Sequence, residues 1–384
     1  MVMGKSNPQG NMNIKMVDLH GQYLRIKQEI DDSMQEVLDT TAFIQGKQVI
    51  DFAAGLAAYC NVKSVIPCAN GTDALQIAMM ALDLQPGDEV ILPVHTYVAT
   101  AEVIALLRLK PVFVDVEEQY FTLRIDQVAE RISPRTKAIV PVHLYGQCAD
   151  MDALLRLADQ KNVHVIEDVA QALGARYTFP DGKVAAAGAM GTIGCTSFFP
   201  SKNLGCFGDG GALMTQDEML SGKIRMMANH GQRVKYQHDE IGVNSRLDTL
   251  QAAVLNVKLR YLSDYERRRN WVASYYDRSL AGAGDLILPA RRRESTHVFH
   301  QYTIRTDRRD ALKSYLEERG IPSMIYYPIP LHLQKAYRQP GVERGAFPVT
   351  ERLSETVLSL PIHTEMDDSQ LGYICDTIRG FFTK

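Results

Sequence analysis

Short apolar runs alternate with helix-length segments through the first half of the chain. Four such runs are GDEVILPV (87–94), KPVFVDV (110–116), KAIVPVHLYG (137–146) and NVHVIEDVA (162–170). Strands this rich in Val and Ile, with helices between them, are typical of a mostly parallel sheet covered on both faces. The sequence therefore predicts an α/β fold, and in such folds ligands bind at the carboxyl ends of the strands.

The pattern changes in the last third of the chain. Residues 244–280 have the apolar spacing of one or two long helices. After them, residues 297–306 resemble a strand, the next segment resembles a helix that ends at Gly320, and residues 321–331 resemble a strand that runs into a loop. This arrangement predicts a smaller α+β domain at the C-terminus.

Two domains fit a chain of 384 residues. We place the large α/β domain at residues 1–260 and the small domain at residues 261–384. Residues 1–12 are polar and contain Gly, Asn and Pro, so we expect them to form a loose arm on the large domain.

Composition excludes several classes of function. A net charge of -3 argues against a general nucleic-acid-binding protein. No apolar run is long enough for a membrane span, and the N-terminus lacks the apolar core of a signal peptide. The six scattered cysteines form no C-x-x-C pair. We therefore expect a cytoplasmic protein without a metal site or a membrane partner.

A single lysine stands among small, aromatic and glycine residues in TSFFPSKNLGCFGDGGALMT (196–215). An exposed lysine needs no such neighbours. A lysine that attacks a carbonyl does, because partial desolvation lowers its pKa and frees the amine. Lys202 is therefore a candidate nucleophile, and the alternative is a surface lysine before a glycine turn.

Two other stretches fit the binding of a phosphate group. Asn70-Gly71-Thr72 opens a helix, where free amide groups and the helix dipole favour an anion, and the Thr72 hydroxyl adds a donor. Ser197 offers a second hydroxyl near the lysine. The alternative for the helix start is an ordinary N-cap.

A carboxylate, an amide and an aromatic ring complete the candidate site. Asp168 ends a hydrophobic strand, where it could pair with a protonated pyridine nitrogen or simply cap a helix. Gln171, one turn later, could hold a ring hydroxyl. Tyr97 could stack on a flat ring or pack as an ordinary strand-end tyrosine. Together with Lys202, these residues are what pyridoxal 5'-phosphate (PLP) requires.

The same motifs carry a resemblance to a known family. NGTDALQ, TYVATAE, HLYGQ, IEDVAQ, SFFPSKNLGCFGDGGA, NHGQ and GVNSRLDTLQAA resemble the DegT/DnrJ/StrS family of PLP-dependent nucleotide-sugar aminotransferases. The likeness runs from about Val17 to Pro361. It is strongest to the WbpE/WlbC-like enzymes that aminate C3 of a UDP-linked 3-keto-hexuronic acid. The resemblance implies fold type I of PLP-dependent aminotransferases and a homodimer with shared active sites.

The resemblance also implies a role for each matching position. The two catalytic residues are Lys202, which links covalently to the cofactor, and Asp168, which pairs with its ring nitrogen. The other cofactor contacts are Gly71, Thr72 and Ser197 to the phosphate, Tyr97 stacked on the ring, Gln171 at the ring oxygen, and Asn244 at the phosphate from the second subunit. The substrate contacts are Arg246 near an anionic group, His332, and Tyr326 and Tyr327. The last two stand where similar members of the family have a His-Tyr pair, which leaves the sugar specificity open.

The expected reaction moves an amino group from L-glutamate to a keto-sugar nucleotide for a surface polysaccharide such as O-antigen. The expected acceptor is C3 of a UDP-2-acetamido-3-keto-hexuronic acid. One alternative is amination at C3 or C4 of a dTDP- or GDP-linked keto-deoxysugar. A sugar dehydratase on the same scaffold has histidine in place of the lysine, so Lys202 argues against it. A non-catalytic sensor of PLP or a nucleotide is the alternative from another class.

Overall fold

The structure, a computed structural model, describes residues 13–383, so the expected arm at residues 1–12 lies outside the described part. The helices are α1 (Leu19–Arg25), α2 (Lys27–Thr40), α3 (Lys47–Cys60), α4 (Gly71–Ala81), α5 (Ala99–Leu106), α6 (Ile125–Arg131), α7 (Met151–Lys161), α8 (Glu218–Ala228), α9 (Thr249–Arg260), α10 (Leu262–Leu280), α11 (Arg309–Glu317), α12 (Pro348–Thr356) and α13 (Asp368–Phe382). The strands are β1 (Ser64–Cys68), β2 (Glu89–Pro93), β3 (Lys110–Val114), β4 (Thr136–Ile139), β5 (His164–Asp168), β6 (Arg176–Thr178), β7 (Val184–Ala186), β8 (Ile193–Ser197), β9 (Gly211–Thr215), β10 (Gln232–Val234), β11 (Gln237–His238), β12 (Tyr302–Arg305) and β13 (Val357–Leu360).

A seven-stranded sheet in the order β1-β9-β8-β5-β4-β2-β3 forms the centre of the fold. Its strands from β8 to β3 pair in parallel, while β9 runs antiparallel to both β8 and β1. Successive residues of a strand face opposite sides of a sheet. Accordingly, Ile91 packs in one hydrophobic cluster, while Val90 and Leu92 pack in another. The predicted α/β fold with a mostly parallel, doubly covered sheet is confirmed.

The four predicted apolar runs form β2, β3, β4 and β5, but β4 ends at Ile139 rather than at residue 146. Proline has no N–H for a sheet ladder, and Pro141 stands two residues after β4 ends. The predicted strand at 321–331 is wrong, since the described structure there has only an isolated bridge between Met324 and Ser359.

A separate hydrophobic cluster holds the C-terminal part of the chain together. It joins side chains of α10, α11 and α13 with those of the β12–β13 pair, and Ile14 also packs into it. The predicted division between residues 260 and 261 falls at the junction of α9 and α10, and it stays a prediction. Among the described residues, no helix is both long and apolar enough to cross a membrane.

The edge of the sheet is tied to α12 by one buried carboxylate. Asp115 directly follows β3, and it accepts hydrogen bonds from the amides of Val349 and Thr350 at 3.0 and 2.9 Å. The Thr350 hydroxyl donates a third bond at 2.7 Å. Because the first amides of a helix lack intrahelical partners, Asp115 caps α12 and fixes it to the sheet.

Candidate active site

A cavity of about 640 Å³ lies where β5 and β8 end and α4 begins. This is the edge at which parallel sheets bind ligands. The cavity brings together nine of the predicted site residues: Gly71, Thr72, Tyr97, Asp168, Gln171, Ser197, Lys202, Tyr326 and Tyr327. Their roles toward a ligand stay predictions, but their proximity follows from the fold.

One end of the cavity is formed by the start of α4. The Asn70 side chain caps the helix by accepting a hydrogen bond from the Asp73 amide at 2.8 Å. Gly71 must be glycine here, because a Cβ at this position would lie 2.8 Å from the Ser197 Cβ. The free amides of the first turn, the helix dipole and the nearby hydroxyls of Thr72 and Ser197 suit a phosphate group.

Asp168 ends β5 with its carboxylate at the cavity wall. Thr100 donates a hydrogen bond to its Oδ2 at 3.0 Å, and the Ala170 amide donates to its Oδ1 at 3.1 Å. Within residues 13–383, no lysine, arginine or histidine nitrogen lies within 4.0 Å of this carboxylate. Asp168 therefore caps a turn and also presents a fixed negative charge without an ion-pair partner.

Lys202 lines the same cavity as Asp168. Burial lowers the pKa of its ammonium group, and the charge of Asp168 opposes that shift. Among the described residues, its Nζ has no hydrogen-bond partner. Desolvation of this kind favours the neutral amine, which is the form that attacks a carbonyl.

The loop after Lys202 is held from several sides. Asn203 donates to the Val298 carbonyl at 3.1 Å, and the buried Lys258 of α9 donates to the Gly205 carbonyl at 2.8 Å. A Cβ at Gly205 would lie 2.3 Å from the Pro200 oxygen, so the turn requires glycine there. The glycines around Lys202 thus allow a tightly folded loop, which restricts where the amine can lie.

Three buried polar atoms around the cavity lack partners among the described residues. They are the hydroxyls of Thr96 and Thr196 and the Nδ1 of His300. Buried polar groups are normally hydrogen-bonded, so the cavity wall leaves three such groups without a partner within residues 13–383. With the helix start, the unpaired carboxylate and the desolvated amine, the residues present fit PLP.

The sequence analysis missed these three residues and Thr100. Thr96 lies next to Tyr97, and Thr196 lies within the quoted lysine stretch, so a search for every hydroxyl near the predicted residues could have found both. His300 is a polar residue directly after Val298 and Phe299, and an unexplained polar group in such a run was the available signal.

Three predicted residues lie outside this cavity. Asn244 is exposed and pairs with Asn229 in an isolated antiparallel β-bridge. Arg246 lines a separate groove of about 720 Å³. Between them, Ser245 donates to the Asp73 carboxylate at 2.6 Å. His332 is buried, with its Nε2 3.0 Å from Glu351 Oε1. No contact of these three residues with a ligand follows from their position in one chain, so their predicted roles stay predictions.

Comparison with known proteins identifies the family of this chain. The model of the DegT/DnrJ/EryC1/StrS aminotransferase family matches residues 24–379. The chain is 45% identical over 362 residues to the UDP-2-acetamido-2-deoxy-3-oxo-D-glucuronate aminotransferase of Pseudomonas aeruginosa, covering 94% of this chain and 98% of that protein. It is 44% identical over 373 residues to a pleiotropic regulatory protein of Geobacillus stearothermophilus, covering 97% and 99%.

A solved structure extends the likeness to three dimensions. The X-ray structure of S. venezuelae DesV in complex with a ketimine intermediate matches with a TM-score of 0.93 and 41% identity, over 97% of this chain and 99% of that one. Together, the fold, the site and these relatives define a PLP-dependent aminotransferase. The chain belongs to the DegT/DnrJ/EryC1/StrS aminotransferase family, as the sequence motifs predicted.

Proposed function

We propose that the protein transfers an amino group from L-glutamate to C3 of a UDP-2-acetamido-3-keto-hexuronic acid, for a surface polysaccharide. The observation that carries the chemistry is that Lys202 and Asp168 line one cavity. The substrate follows from the likeness to the Pseudomonas aeruginosa relative, whose name specifies a UDP-linked 3-oxo-glucuronate. Six free, buried cysteines fit a reducing compartment, so the proposal places the reaction in the cytoplasm.

In this proposal each residue has a defined task. When bound, PLP supplies an electron-withdrawing ring that stabilises negative charge on the substrate carbon. The Lys202 amine takes the proton from Cα of the amino donor and returns a proton on the cofactor side, as general base and then general acid. The Asp168 carboxylate keeps the ring nitrogen protonated. The start of α4 and the Ser197 hydroxyl hold the phosphate.

A panel of keto-sugar nucleotides tests the substrate. Release of 2-oxoglutarate from L-glutamate should show the highest kcat/KM with the UDP-linked 3-keto-hexuronic acid. Its analogue without the C6 carboxylate should be poorer, because a site that pairs a carboxylate discriminates strongly against its absence. A higher kcat/KM for a dTDP- or GDP-linked keto-deoxysugar would contradict the proposed acceptor. Binding without turnover of any acceptor would favour a sensor.

The proposal includes a homodimer in which Asn244 completes the site of the other subunit. Asn244 is exposed and does not line the cavity of its own chain. The segment before it carries Tyr236 and Ile241, which are 81% and 87% exposed. Ile50 is 67% exposed in the groove that Arg246 lines. In this proposal these exposed apolar side chains are candidate contacts of the second subunit.

Mixing two inactive variants tests the shared site. Lys202→Ala chains and Asn244→Asp chains should each be inactive, yet together they should form hybrid dimers with one intact site. Random mixing makes half of the dimers hybrid, each with one of two sites intact, so about a quarter of the parent activity should return. Activity is measured after subunit exchange has been shown by mass.

A matched mixture serves as the control. Lys202 and Asp168 line the same cavity of one chain, so mixed Lys202→Ala and Asp168→Asn chains leave one defect in every site. This mixture should show no recovery. If exchange is complete and the Asn244→Asp mixture also stays at background, Asn244 acts only within its own subunit.

A further inference from the structure

Tyr145 is a buried tyrosine that the proposed chemistry does not use. It lies in the 3₁₀ turn Leu144–Gly146 after β4, with a φ of 60°. Only 2% of its surface is exposed, and its ring packs edge-on against Phe121 with centroids 5.0 Å apart. Burial raises the pKa of its phenol well above the usual value, so the hydroxyl stays protonated.

Hydrogen bonds link Tyr145 to two sides of the cavity at once. Its amide donates to Gln171 Oε1 at 2.8 Å, and Gln171 Nε2 donates to the Tyr327 hydroxyl at 3.1 Å. The Tyr145 hydroxyl donates to the Tyr326 carbonyl. Since Tyr326 and Tyr327 are adjacent in the chain, these hydrogen bonds link the four residues into a closed hydrogen-bonded ring. Any shift of the Tyr326-Tyr327 pair therefore stretches at least one of these bonds.

His95 fixes the direction of the bonds on one side of the ring. Its Nε2 lies 3.1 Å from the Tyr145 hydroxyl. The only proton of that hydroxyl goes to the Tyr326 carbonyl, so His95 Nε2 must carry a proton and donate it. The Nδ1 is then a bare acceptor, and it has no partner among the described residues. Burial lowers the pKa of His95 to about 4, which keeps its imidazole neutral.

The Tyr327 side chain contacts two other rings in addition to its hydroxyl bond. Its ring centroid lies 6.0 Å from that of Tyr97 and 6.3 Å from that of His95. The bond from Tyr145 is the one that reaches the backbone of the pair, at Tyr326. A change at the Tyr145 hydroxyl should therefore move the whole pair rather than one side chain.

We propose that Tyr145 is a positioning residue that sets the place of the Tyr326-Tyr327 pair and thereby the affinity for the sugar substrate. The inference rests on the proposed function, in which the pair contacts the sugar. Tyr145 acts through the Tyr326 backbone and has no role in moving the proton at the amino donor.

The test replaces Tyr145 by phenylalanine, which removes only the hydroxyl. KM for the keto-sugar nucleotide should rise about five- to tenfold, the factor expected for one lost neutral hydrogen bond. The first half-reaction with L-glutamate, followed by the cofactor's absorbance, should keep its rate within about twofold. Amide hydrogen exchange in peptides covering residues 321–331 should become faster.

Tyr276→Phe is the matched control. Tyr276 is also fully buried, and its hydroxyl also donates to a backbone carbonyl, that of Pro361 at 2.8 Å. It packs in the C-terminal hydrophobic cluster, away from the cavity. This variant should lose stability without a change in KM or in the exchange of residues 321–331.

Two results would overturn the inference. One is an unchanged KM for the keto-sugar in Tyr145→Phe, and the other is an equal loss in both half-reactions. If the unaltered protein aminates no keto-sugar nucleotide, the proposed function fails instead. The exchange experiment then decides the inference alone, and unchanged exchange at residues 321–331 overturns it.

Discussion

Replacing Lys202 by alanine should remove the yellow, lysine-linked form of the cofactor and reduce turnover by at least about 10²- to 10⁴-fold, the usual contribution of a positioned acid–base group. Alanine cannot form the covalent link and cannot carry a proton. The phosphate end of the cavity is formed by α4 and Ser197, which the substitution leaves in place. The cofactor should therefore still bind without a covalent bond. Absorbance spectra, dialysis and steady-state rates measure these three effects.

The control for this variant is a lysine outside the cavity. Lys161 is exposed at the end of α7, and Lys161→Ala should keep the parent's colour and rate. If Lys202→Ala still turns over near the parent rate, Lys202 takes no part in the chemistry, and the proposed mechanism is wrong.

Asp168→Asn should lower kcat by orders of magnitude while the protein keeps its fold. Asparagine has nearly the same shape, and its side-chain oxygen can still accept the bond from the Ala170 amide. What it lacks is the negative charge that, in the proposed mechanism, keeps the ring nitrogen protonated. Stabilisation of charge in the transition state is then lost, which slows the chemical step more than it weakens binding. Single-turnover rates with L-glutamate and thermal unfolding separate the two effects.

Asp115→Asn is the matched control, because Asp115 follows the end of β3 as Asp168 ends β5. Its carboxylate caps α12 and does not line the cavity. This variant should be less stable, with a kcat close to that of the parent. If Asp168→Asn slows kcat by less than about tenfold, roughly 1.4 kcal/mol, Asp168 is only a cap.

The sequence predicts β2, β3, β4 and β5 because each lies in a largely continuous apolar run. β2 is buried along its whole length, and its bounds lie within one predicted run. β1, β8 and β9 were not predicted. β1 contains Pro67, β8 contains Gly194 and Thr196, and β9 begins with a glycine, so none of them is a continuous run of large apolar residues. Their place in the sheet depends on pairing with distant strands, which local pattern does not encode.

Most of the candidate site could be predicted from the sequence, because its main residues stand out within short motifs. Asp168 and Lys202 stand in motifs whose chemistry is unusual for their surroundings, and the fold brings them to one cavity. Asn244 and Arg246 lie elsewhere in the single chain. The predicted role of Asn244 depends on a second copy, and that of Arg246 stays a prediction. The hydrogen bonds of the ring through Tyr145 had no sequence signal, because Tyr145, Gln171 and the Tyr326-Tyr327 pair are far apart in the chain and only tertiary packing joins them.

The reversed direction of β9 has a consequence for how the reactive amine is anchored. Ser197, which ends β8, pairs with Gly211, which begins β9, so the loop between them leaves and rejoins the sheet at the same edge. A parallel β9 would require a crossover to the opposite edge and would carry the loop away. Lys202 is instead tethered at both ends, through β8 to β5 and through β9 to β1. Lengthening or shortening this loop should therefore leave the order of the strands intact. The change should shift only the position of the Lys202 amine in the cavity.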